Sequence, residues 1–345
     1  MSSADLQAAV GVKPTLRVIE CSADFALTDD IFLSDEPILL RNLVAHWPVV
    51  KQAKQSTDAA LLYLMQFYSG MDVVEVQGSA ELKGRIAYNS DFTQLNCVSA
   101  KKSLPEVFKD IFLAAQQPEP PLCYMGTTPI HLLLPGFSEL NQLNLEKQKA
   151  TAFMWLGNRS CVPAHYDLPD NIACNLVGRR RFTLFPPDQL ENLYVGPLDF
   201  TPAGQAISLV DVRAPDFEKF PKFRTAQRAA LVAELAPGDA LFLPSMWWHN
   251  VEGLDDVNIL LNYWWRQSPA YMGSPADVLD LALLALRDLP PAQKQAWKGL
   301  LDHYVFNNGG DTFAHIPEHA RGSVGELSDT VARKIKAKIL ARFNR

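Results

Sequence analysis

The amino-acid sequence predicts a mainly β fold, a sandwich or a barrel, with helices before and after it. Short runs rich in Val, Ile, Phe, Trp and Thr follow one another closely between about Leu122 and Trp265, as strands of such folds do. The 24 prolines and 18 glycines divide the chain into short segments, which also favours β structure. At 345 residues and 48% hydrophobic composition, the chain can bury a large core.

Two helices are predicted ahead of the strands, at the periphery of a sheet. The segment from Thr57 to Phe67 ends before Gly70, a residue that commonly follows a helix. The segment from Ser103 to Gln116 opens with a capping box, since a glutamate follows Ser103 at the third position.

The predicted strands lie in runs bounded by glycine and proline. These runs are LCYMG, TAFMWLG, IACNLVG, RFTLF, AELAPGDALFLP and VNILLNYWW. We therefore expect residues 1–120 to form an N-terminal α/β extension, residues 121–268 the β core, and residues 269–345 a helical segment.

The helical segment after Pro269 carries much apolar surface. Ala276 to Leu286 is apolar on almost every side, and a second capping box, Ser323 with Glu326, is predicted to open the last helix. Apolar residues recur in that helix at spacings of three and four: Val324, Leu327, Val331, Ile335, Ile339 and Phe343. This surface fits packing onto the chain's own barrel and a homodimer interface equally well.

Composition and charge exclude several classes of partner. The formal net charge of −6 provides no positive field for nucleic acid or anionic lipid. The N-terminus lacks a secretion signal, and the densest apolar stretch, Val278 to Leu286, is too short to cross a bilayer. Five scattered cysteines without C-x-x-C spacing predict neither disulfides nor a thiolate metal site. We expect a cytoplasmic protein that binds neither membrane nor nucleic acid.

Three side chains form a candidate metal site. His165 and Asp167 stand two residues apart in PAHYDLPDN, so on one strand they would face the same side. His249 follows the PGDALFLP segment, where the turn at Pro237 and Gly238 is expected to launch the strand that carries it. Two imidazoles and one carboxylate make the facial triad of non-haem Fe(II) oxygenases. An isolated H-x-D is more often a surface histidine beside a turn, so the surrounding sequence decides.

The surrounding sequence resembles the JmjC-like cupin oxygenases. The stretches PAHYDLPDNIACNLVGRRRFTLFPPDQLENLY, PDFEKFP and PGDALFLPSMWWHNVE carry the resemblance, which is strongest from about Leu122 to Trp265. Among those enzymes they look most like the asparaginyl hydroxylase that inhibits the hypoxia-inducible factor. The resemblance implies a double-stranded β-helix, or jelly roll, with Fe(II) held by His165, Asp167 and His249 and with 2-oxoglutarate as cosubstrate.

Matching the motifs residue by residue implies further roles. The basic residue that pairs with the distal carboxylate of 2-oxoglutarate falls on Arg180, where the asparaginyl hydroxylase has lysine. Arg179 and Arg181 flank it and should point to the opposite side of a strand. The family position that often supplies a cosubstrate hydroxyl is Val162, so one hydrogen bond to 2-oxoglutarate is expected to be missing.

Other matched positions have structural alternatives. Tyr124, Asn171 and Asn262 fall where the relative binds its cosubstrate or lines that pocket. The respective alternatives are a core aromatic, a turn residue and a satisfied buried amide, and the functional role is preferred for Tyr124 and Asn262. Nearby tryptophans could shield the metal, although a core role is expected for two of the four: Trp247, Trp248, Trp264 and Trp265.

The substrate is not specified by these motifs. Tyr88 lies in a segment, RIAYNSDF, that roughly matches a substrate-contacting stretch of the relative. The glutamine that orients the target asparagine falls on Ile207, which disfavours asparagine as the target. Three functions stay open: hydroxylation of a protein side chain or small molecule, removal of an N-methyl group, and metal or ligand binding by a cupin without turnover. Arg180 argues against the third, because a structural metal site needs no carboxylate clamp.

Overall fold

A computed structural model describes residues 15–307, 309 and 312–344. The chain forms two compact units, divided between Gln267 and Ser268.

Thirteen strands lie within the described residues of the first unit. In chain order they are β1 (Arg17–Glu20), β2 (Ile38–Arg41), β3 (Val73–Gly78), β4 (Val98–Lys102), β5 (Leu122–Pro129), β6 (Thr151–Gly157), β7 (Cys161–His165), β8 (Asp170–Val177), β9 (Arg180–Phe185), β10 (Leu231–Leu235), β11 (Ala240–Leu243), β12 (Trp248–Gly253) and β13 (Asn258–Trp265).

The strands form two sheets. The larger has the order β1-β2-β11-β8-β13-β6-β5-β3-β4, and the smaller has the order β10-β9-β12-β7. Pairing is antiparallel apart from the parallel pair β1 and β2. Consecutive strands such as β8 and β9 lie in different sheets, as in a jelly roll. The mainly β, cupin-type fold expected from the sequence is therefore confirmed.

Apolar side chains from both sheets meet in one cluster. It combines residues of the larger sheet with residues of the smaller sheet: Leu39, Ala173, Leu241, Leu243 and Leu260 with Phe182, Leu184, Leu231, Ala233, Leu235 and Val251. Because these side chains alternate along their strands with residues of the opposite face, each sheet presents one apolar face to the other.

Helices lie beside a second, larger core cluster that includes the other face of the large sheet. The helices of the first unit are α1 (Asp29–Phe32), α2 (Pro48–Gln55), α3 (Thr57–Met65), α4 (Leu104–Ala115), α5 (Ile130–Leu133) and α6 (Phe223–Ala229). The predicted capping box at the start of α4 is confirmed, since the backbone N–H of Ser103 donates to Glu106 over 2.8 Å. Helix α3 matches its prediction to within two residues.

The second unit contains three α-helices among its described residues, namely α7 (Pro275–Leu286), α8 (Pro291–Leu301) and α9 (Asp329–Phe343). The predicted capping box of Ser323 and Glu326 is wrong. Ser323 lies in a short 3-10 turn, the backbone of Gly325 is extended, and α9 starts only after Ser328, whose hydroxyl accepts from the N–H of Val331. The extended residue interrupts the helix that the apolar spacing predicts.

Several side chains of this unit are apolar and exposed: Val278, Leu279, Leu284, Trp297, Leu300, Tyr304, Val305, Phe306, Leu340 and Phe343. Across the described residues of both units, no helix combines the length and apolar character needed to span a bilayer.

Candidate active site

Two histidines and one aspartate converge at the end of the smaller sheet. His165 ends β7 and pairs with His249 of the neighbouring strand β12. Asp167 lies in the loop just beyond β7, with Oδ2 3.6 Å from Nε2 of His249. One potential ligand atom from each residue lies within 4.8 Å of the others. The structure brings together the three residues predicted as ligands, although Asp167 reaches the site from a loop and not from the strand.

Backbone carbonyls orient both imidazoles. Nδ1 of His165 lies 2.9 Å from the carbonyl oxygen of Pro163, and Nδ1 of His249 lies 2.9 Å from that of Trp247. Because a carbonyl can only accept, each Nδ1 carries the proton and each Nε2 lone pair is left for a ligand bond. At metal sites, a hydrogen bond from the ring nitrogen that does not bind the metal fixes the tautomer and the orientation of the imidazole.

The turn that precedes His249 differs from its prediction. Pro237 and Gly238, the latter with φ of +106°, open β11 and not the strand of His249. A further turn intervenes before β12, and in it Met246 takes φ of +69°. The chain segment from Pro237 to His249 therefore contains two strands, in different sheets.

Burial sets the protonation state of the site. Desolvation, together with the neighbouring His249, lowers the pKa of His165 to about 4. Burial acts to raise the pKa of Asp167, but the hydrogen bond and charge interaction with His249 outweigh it, so that pKa is lowered. A neutral imidazole beside an ionised carboxylate is the state that binds a divalent cation.

The three side chains line a cavity of about 570 Å³. Its walls come from both sheets and include every residue that sequence matching assigned to the cosubstrate: Tyr124, Asn171, Arg180 and Asn262. The cavity continues past the ends of β3 and β4 to the segment 202–204. It is large enough for a small dicarboxylate and part of a second molecule.

Arg180 is buried in this cavity, with 3% of its surface exposed, and it has no ion-pair partner within the described part of the chain. Its Nε forms no hydrogen bond there. Burial lowers the pKa of Arg180 to about 10. Arg179 and Arg181 point outward to Asp255 and Glu234. Arg180 and Arg181 face opposite sides of β9, as alternation predicts, and Arg179, which precedes the strand, also points away from the cavity.

Two amides and a phenol also contribute to the polar lining. Oδ1 of Asn171 and Oδ1 of Asn262 are buried without a hydrogen-bond partner among the described residues. Both side chains face the cavity, so neither the satisfied-amide nor the turn alternative describes them. Tyr124 also lines the cavity, and burial raises the pKa of its hydroxyl. Buried polar atoms that lack a protein partner are typical of a ligand site.

Val162 and Ile207 are the two positions at which the sequence departs from the asparaginyl hydroxylase, and only Val162 lies at the cavity. Val162 lines the cavity, as its match to a cosubstrate position implies. Ile207 is fully buried, and its carbonyl accepts from Gly196 in a neighbouring segment. It is not among the cavity-lining residues. Tyr88 also lies outside that lining, and its hydroxyl donates to the carbonyl of Phe200 over 2.7 Å.

The tryptophans divide between core and cavity. Trp247, Trp248 and Trp265 are buried, whereas Trp264 lines the cavity. Sequence reasoning missed Trp155 on β6, which also lines the cavity and whose indole N–H is buried without a partner among the described residues. Strand alternation in TAFMWLG, together with the pairing of Trp155 and Leu260, is the signal that places it on the cavity side.

The donor set fits Fe(II). Two imidazoles and a carboxylate on one side of a site leave the remaining coordination positions open, which is the arrangement of non-haem iron oxygenases. The separate buried cation of Arg180 fits a dicarboxylate in the same cavity.

Comparison with known proteins places these features in a family. Residues 23–271 match the model of the cupin-like domain. Human HSPB1-associated protein 1 is 34% identical over 151 residues, 42% of this chain and 30% of that protein. The tRNA wybutosine-synthesizing protein 5 of Gallus gallus is 34% identical over 141 residues, 36% of this chain and 41% of that protein.

A longer match joins the chain to the Lysine-specific demethylase 8 of Xenopus tropicalis, with 25% identity over 265 residues, 72% of this chain and 52% of that protein. The chain thus spans between 30% and 52% of the length of these three relatives. These matches support the JmjC-type cupin superfamily and do not single out the asparaginyl hydroxylase. The chain belongs to the cupin-like domain family.

Proposed function

We propose that this protein is an Fe(II)- and 2-oxoglutarate-dependent oxygenase, a dioxygenase that hydroxylates a protein side chain or a small molecule and releases succinate and CO2. The observation that carries the proposal is the position of Arg180. A buried guanidinium without an ion-pair partner among the described residues shares one cavity with the His165, Asp167 and His249 cluster. A structural metal site has no use for such a charge.

His165, Asp167 and His249 would hold the metal through both Nε2 atoms and one carboxylate oxygen. Bound Fe(II) with 2-oxoglutarate supplies the activation of oxygen, which no side chain of the cavity can provide. The protein's contribution is to keep the imidazole of His165 neutral, to hold both imidazole rings in place through the Pro163 and Trp247 carbonyls, and to keep the aspartate ionised.

Arg180 would bind the distal carboxylate of 2-oxoglutarate through two guanidinium N–H groups. On β9, Leu184 pairs with the ligand His249, and Arg180 lies at the opposite end of the strand. The cosubstrate would therefore extend along β9, from the metal ligands towards Arg180. Asn171 and Asn262 line the same cavity, and the Oδ1 atom of each has no hydrogen-bond partner among the described residues. Val162 has no hydrogen-bonding group, so fewer side chains would form hydrogen bonds with the metal-binding end of the cosubstrate.

The part of the cavity beyond the metal is lined mainly by apolar side chains and has one acidic residue, Asp72. This composition suits an uncharged or cationic group of the substrate. Removal of an N-methyl group by the same chemistry is a second candidate, because one relative is named Lysine-specific demethylase 8. We keep the expectations of a cytoplasmic location and of no nucleic-acid partner as part of the proposal.

We also propose that the second unit, residues 268–345, mediates homodimerisation. Its exposed apolar side chains on α7, α8 and α9 are numerous for a solvent-facing surface. Of residues 1–120, the described part from Thr15 would serve as an extension of the barrel, since β2 and β3 pair with strands of the core, whereas residues 1–14 lie outside the described residues.

The experiment that tests the enzymatic proposal is a cosubstrate turnover assay. The full chain, reconstituted with Fe(II) in air, should convert 2-oxoglutarate to succinate slowly without a substrate, and Asp167→Ala should not. Equal succinate formation by both proteins, or none by either protein at high concentration, would contradict the proposal.

A further inference from the structure

The indole of Trp155 is a polar group that the roles described above leave unused. Trp155 lines the cavity of the metal cluster, and its Nε1–H is buried with no acceptor among the described residues. A buried N–H donor without a partner destabilises a folded protein. Such a group is retained where a ligand supplies the acceptor.

Strand register places Trp155 relative to the metal and to Arg180. On β13, Trp264 pairs with Asn171 of β8, close to the Asp167 loop. Leu260, four residues back along β13, pairs with Trp155 of β6. From Asn171, β8 runs away from that loop and continues through the Gly178 turn to Arg180 at the start of β9.

Trp155 therefore lies on the Arg180 side of the metal and not at the cavity mouth. The residue on its other side is Tyr124, which pairs with Gly157 two residues further along β6. The ring centres of Tyr124 and Trp155 lie 6.4 Å apart, and Tyr124 and Arg180 both line the cavity. Trp155, Tyr124 and Arg180 thus form the wall of one end of the cavity.

The chemistry of this wall is uniform. The indole can only donate, the guanidinium can only donate, and the phenol can donate its single proton. No carboxylate within the described part of the chain pairs with Arg180 to consume these donors. Donors of this kind suit an acceptor with several lone pairs and a negative charge, which is a carboxylate.

We infer that Trp155 is a further cosubstrate-binding residue, whose indole N–H donates to the distal carboxylate of 2-oxoglutarate beside Arg180 and Tyr124. The inference rests on the proposed function, because it requires 2-oxoglutarate to occupy the cavity. The added donor would offset the hydrogen bond that Val162 cannot supply.

The test compares two ligands on the full chain loaded with Mn(II), by isothermal titration calorimetry. Trp155→Phe keeps a flat ring but loses the N–H, so 2-oxoglutarate should bind about tenfold more weakly, as expected for one hydrogen bond to a charged group. Binding of 2-oxovalerate, which has no distal carboxylate, should not change. Trp247→Phe is the matched control, since its indole donates to the Asp35 carbonyl and does not line the cavity.

The outcomes separate this inference from the proposed function. If the wild-type protein binds no 2-oxoglutarate, the proposed function fails and the inference falls with it. If Arg180→Ala binds 2-oxoglutarate more weakly than the wild type does, but Trp155→Phe binds it as tightly as the wild type, the proposed function stands and the inference is wrong. Equal weakening of both acids by Trp155→Phe would also overturn it, because the contact would then not involve the distal carboxylate.

A measurement on the wild-type chain avoids dependence on the stability of the variant. With Zn(II) in the metal site, the indole N–H signal assigned to Trp155 should shift downfield in the 1H–15N NMR spectrum when 2-oxoglutarate is added, and should stay in place with 2-oxovalerate. The assignment distinguishes it from Trp264, whose buried indole N–H also has no partner among the described residues and lines the cavity. Absence of any indole shift specific to 2-oxoglutarate would contradict the inference.

Discussion

The backbone N–H of Met246 donates to the carbonyl oxygen of Asp167 over 2.9 Å. This bond ties the loop of the carboxylate ligand to the turn that precedes the strand of His249. Ser245 strengthens the same junction, since its hydroxyl donates to the carbonyl of Leu168 over 2.7 Å and its N–H donates to Asp170 over 2.9 Å. The ligand cluster is therefore held by hydrogen bonds that do not involve a metal.

From this arrangement we expect the ligands to be removable without loss of the fold. His165→Ala and Asp167→Ala should each weaken Fe(II) binding more than the roughly 10–100-fold that loss of a ligand's hydrogen-bond partner causes. Circular dichroism should show an unchanged fold. Equilibrium dialysis under anaerobic conditions measures the binding, with the exposed His131→Ala as control. Tight binding of one iron by both ligand variants would show that the cluster is not the metal site.

A second prediction concerns the three consecutive arginines. Arg180→Ala should make the binding free energy of 2-oxoglutarate less favourable by about 2–5 kcal/mol, since it leaves a buried carboxylate without its charged partner. Arg180→Lys should be milder, because the charge remains and only the paired N–H geometry is lost. Arg179→Ala and Arg181→Ala are controls, because both side chains are in exposed ion pairs that contribute little. Calorimetric titration measures 2-oxoglutarate binding by each variant. A greater loss of affinity in Arg179→Ala or Arg181→Ala than in Arg180→Ala would refute the assignment of Arg180 to the distal carboxylate.

The same residue predicts an effect on stability in the absence of ligand. The pKa of Arg180 is lowered because burial disfavours its charge, and no partner among the described residues compensates. Arg180→Met, which is apolar and of similar length, should therefore raise the free energy of unfolding at neutral pH by about 1 kcal/mol or more. Denaturant titration measures it. In the wild type, 2-oxoglutarate with Mn(II) should add stability that the variant does not gain. A variant less stable than the ligand-free wild type would argue against an uncompensated charge.

A fourth prediction addresses the second unit. If its apolar surface forms the dimer interface, Leu284→Glu should shift the full chain from dimer to monomer, because each buried leucine contributes about 1.5–3 kcal/mol. Light scattering after size-exclusion chromatography reports the mass. Leu62→Glu is the matched control, as Leu62 is 68% exposed on α3 of the first unit and Leu284 is 74% exposed on α7. A wild-type monomer, or a variant that stays dimeric, would exclude this interface.

The sequence was informative where a local rule decides the structure. The Ser103 capping box, the strand runs and the outward direction of Arg179 and Arg181 depend on neighbouring residues, and the structure agrees with each of them. The clustering of His165, Asp167 and His249 came from motif spacing and resemblance, and the structure places their ligand atoms within 4.8 Å of one another.

The sequence was less informative where distant residues decide. The sequence prediction had the turn at Pro237 lead directly into the strand of His249, and it missed the additional turn at Met246. That turn depends on a hydrogen bond from Met246 to Asp167, which lies far away in the chain. The second capping box failed because the extended backbone of Gly325 interrupts an otherwise helical spacing. Trp155 was missed because its orphaned N–H can be recognised only when the absence of an acceptor is known.

The central claim is that the metal cluster and Arg180 bind Fe(II) and 2-oxoglutarate together in one cavity. The most direct test is an anaerobic titration of the Fe(II)-loaded chain with 2-oxoglutarate, monitored by absorption spectroscopy. The claim predicts a metal-to-ligand charge-transfer band that saturates at one equivalent per chain and is absent in Asp167→Ala. A wild-type protein that binds Fe(II) but develops no such band at saturating 2-oxoglutarate would contradict it.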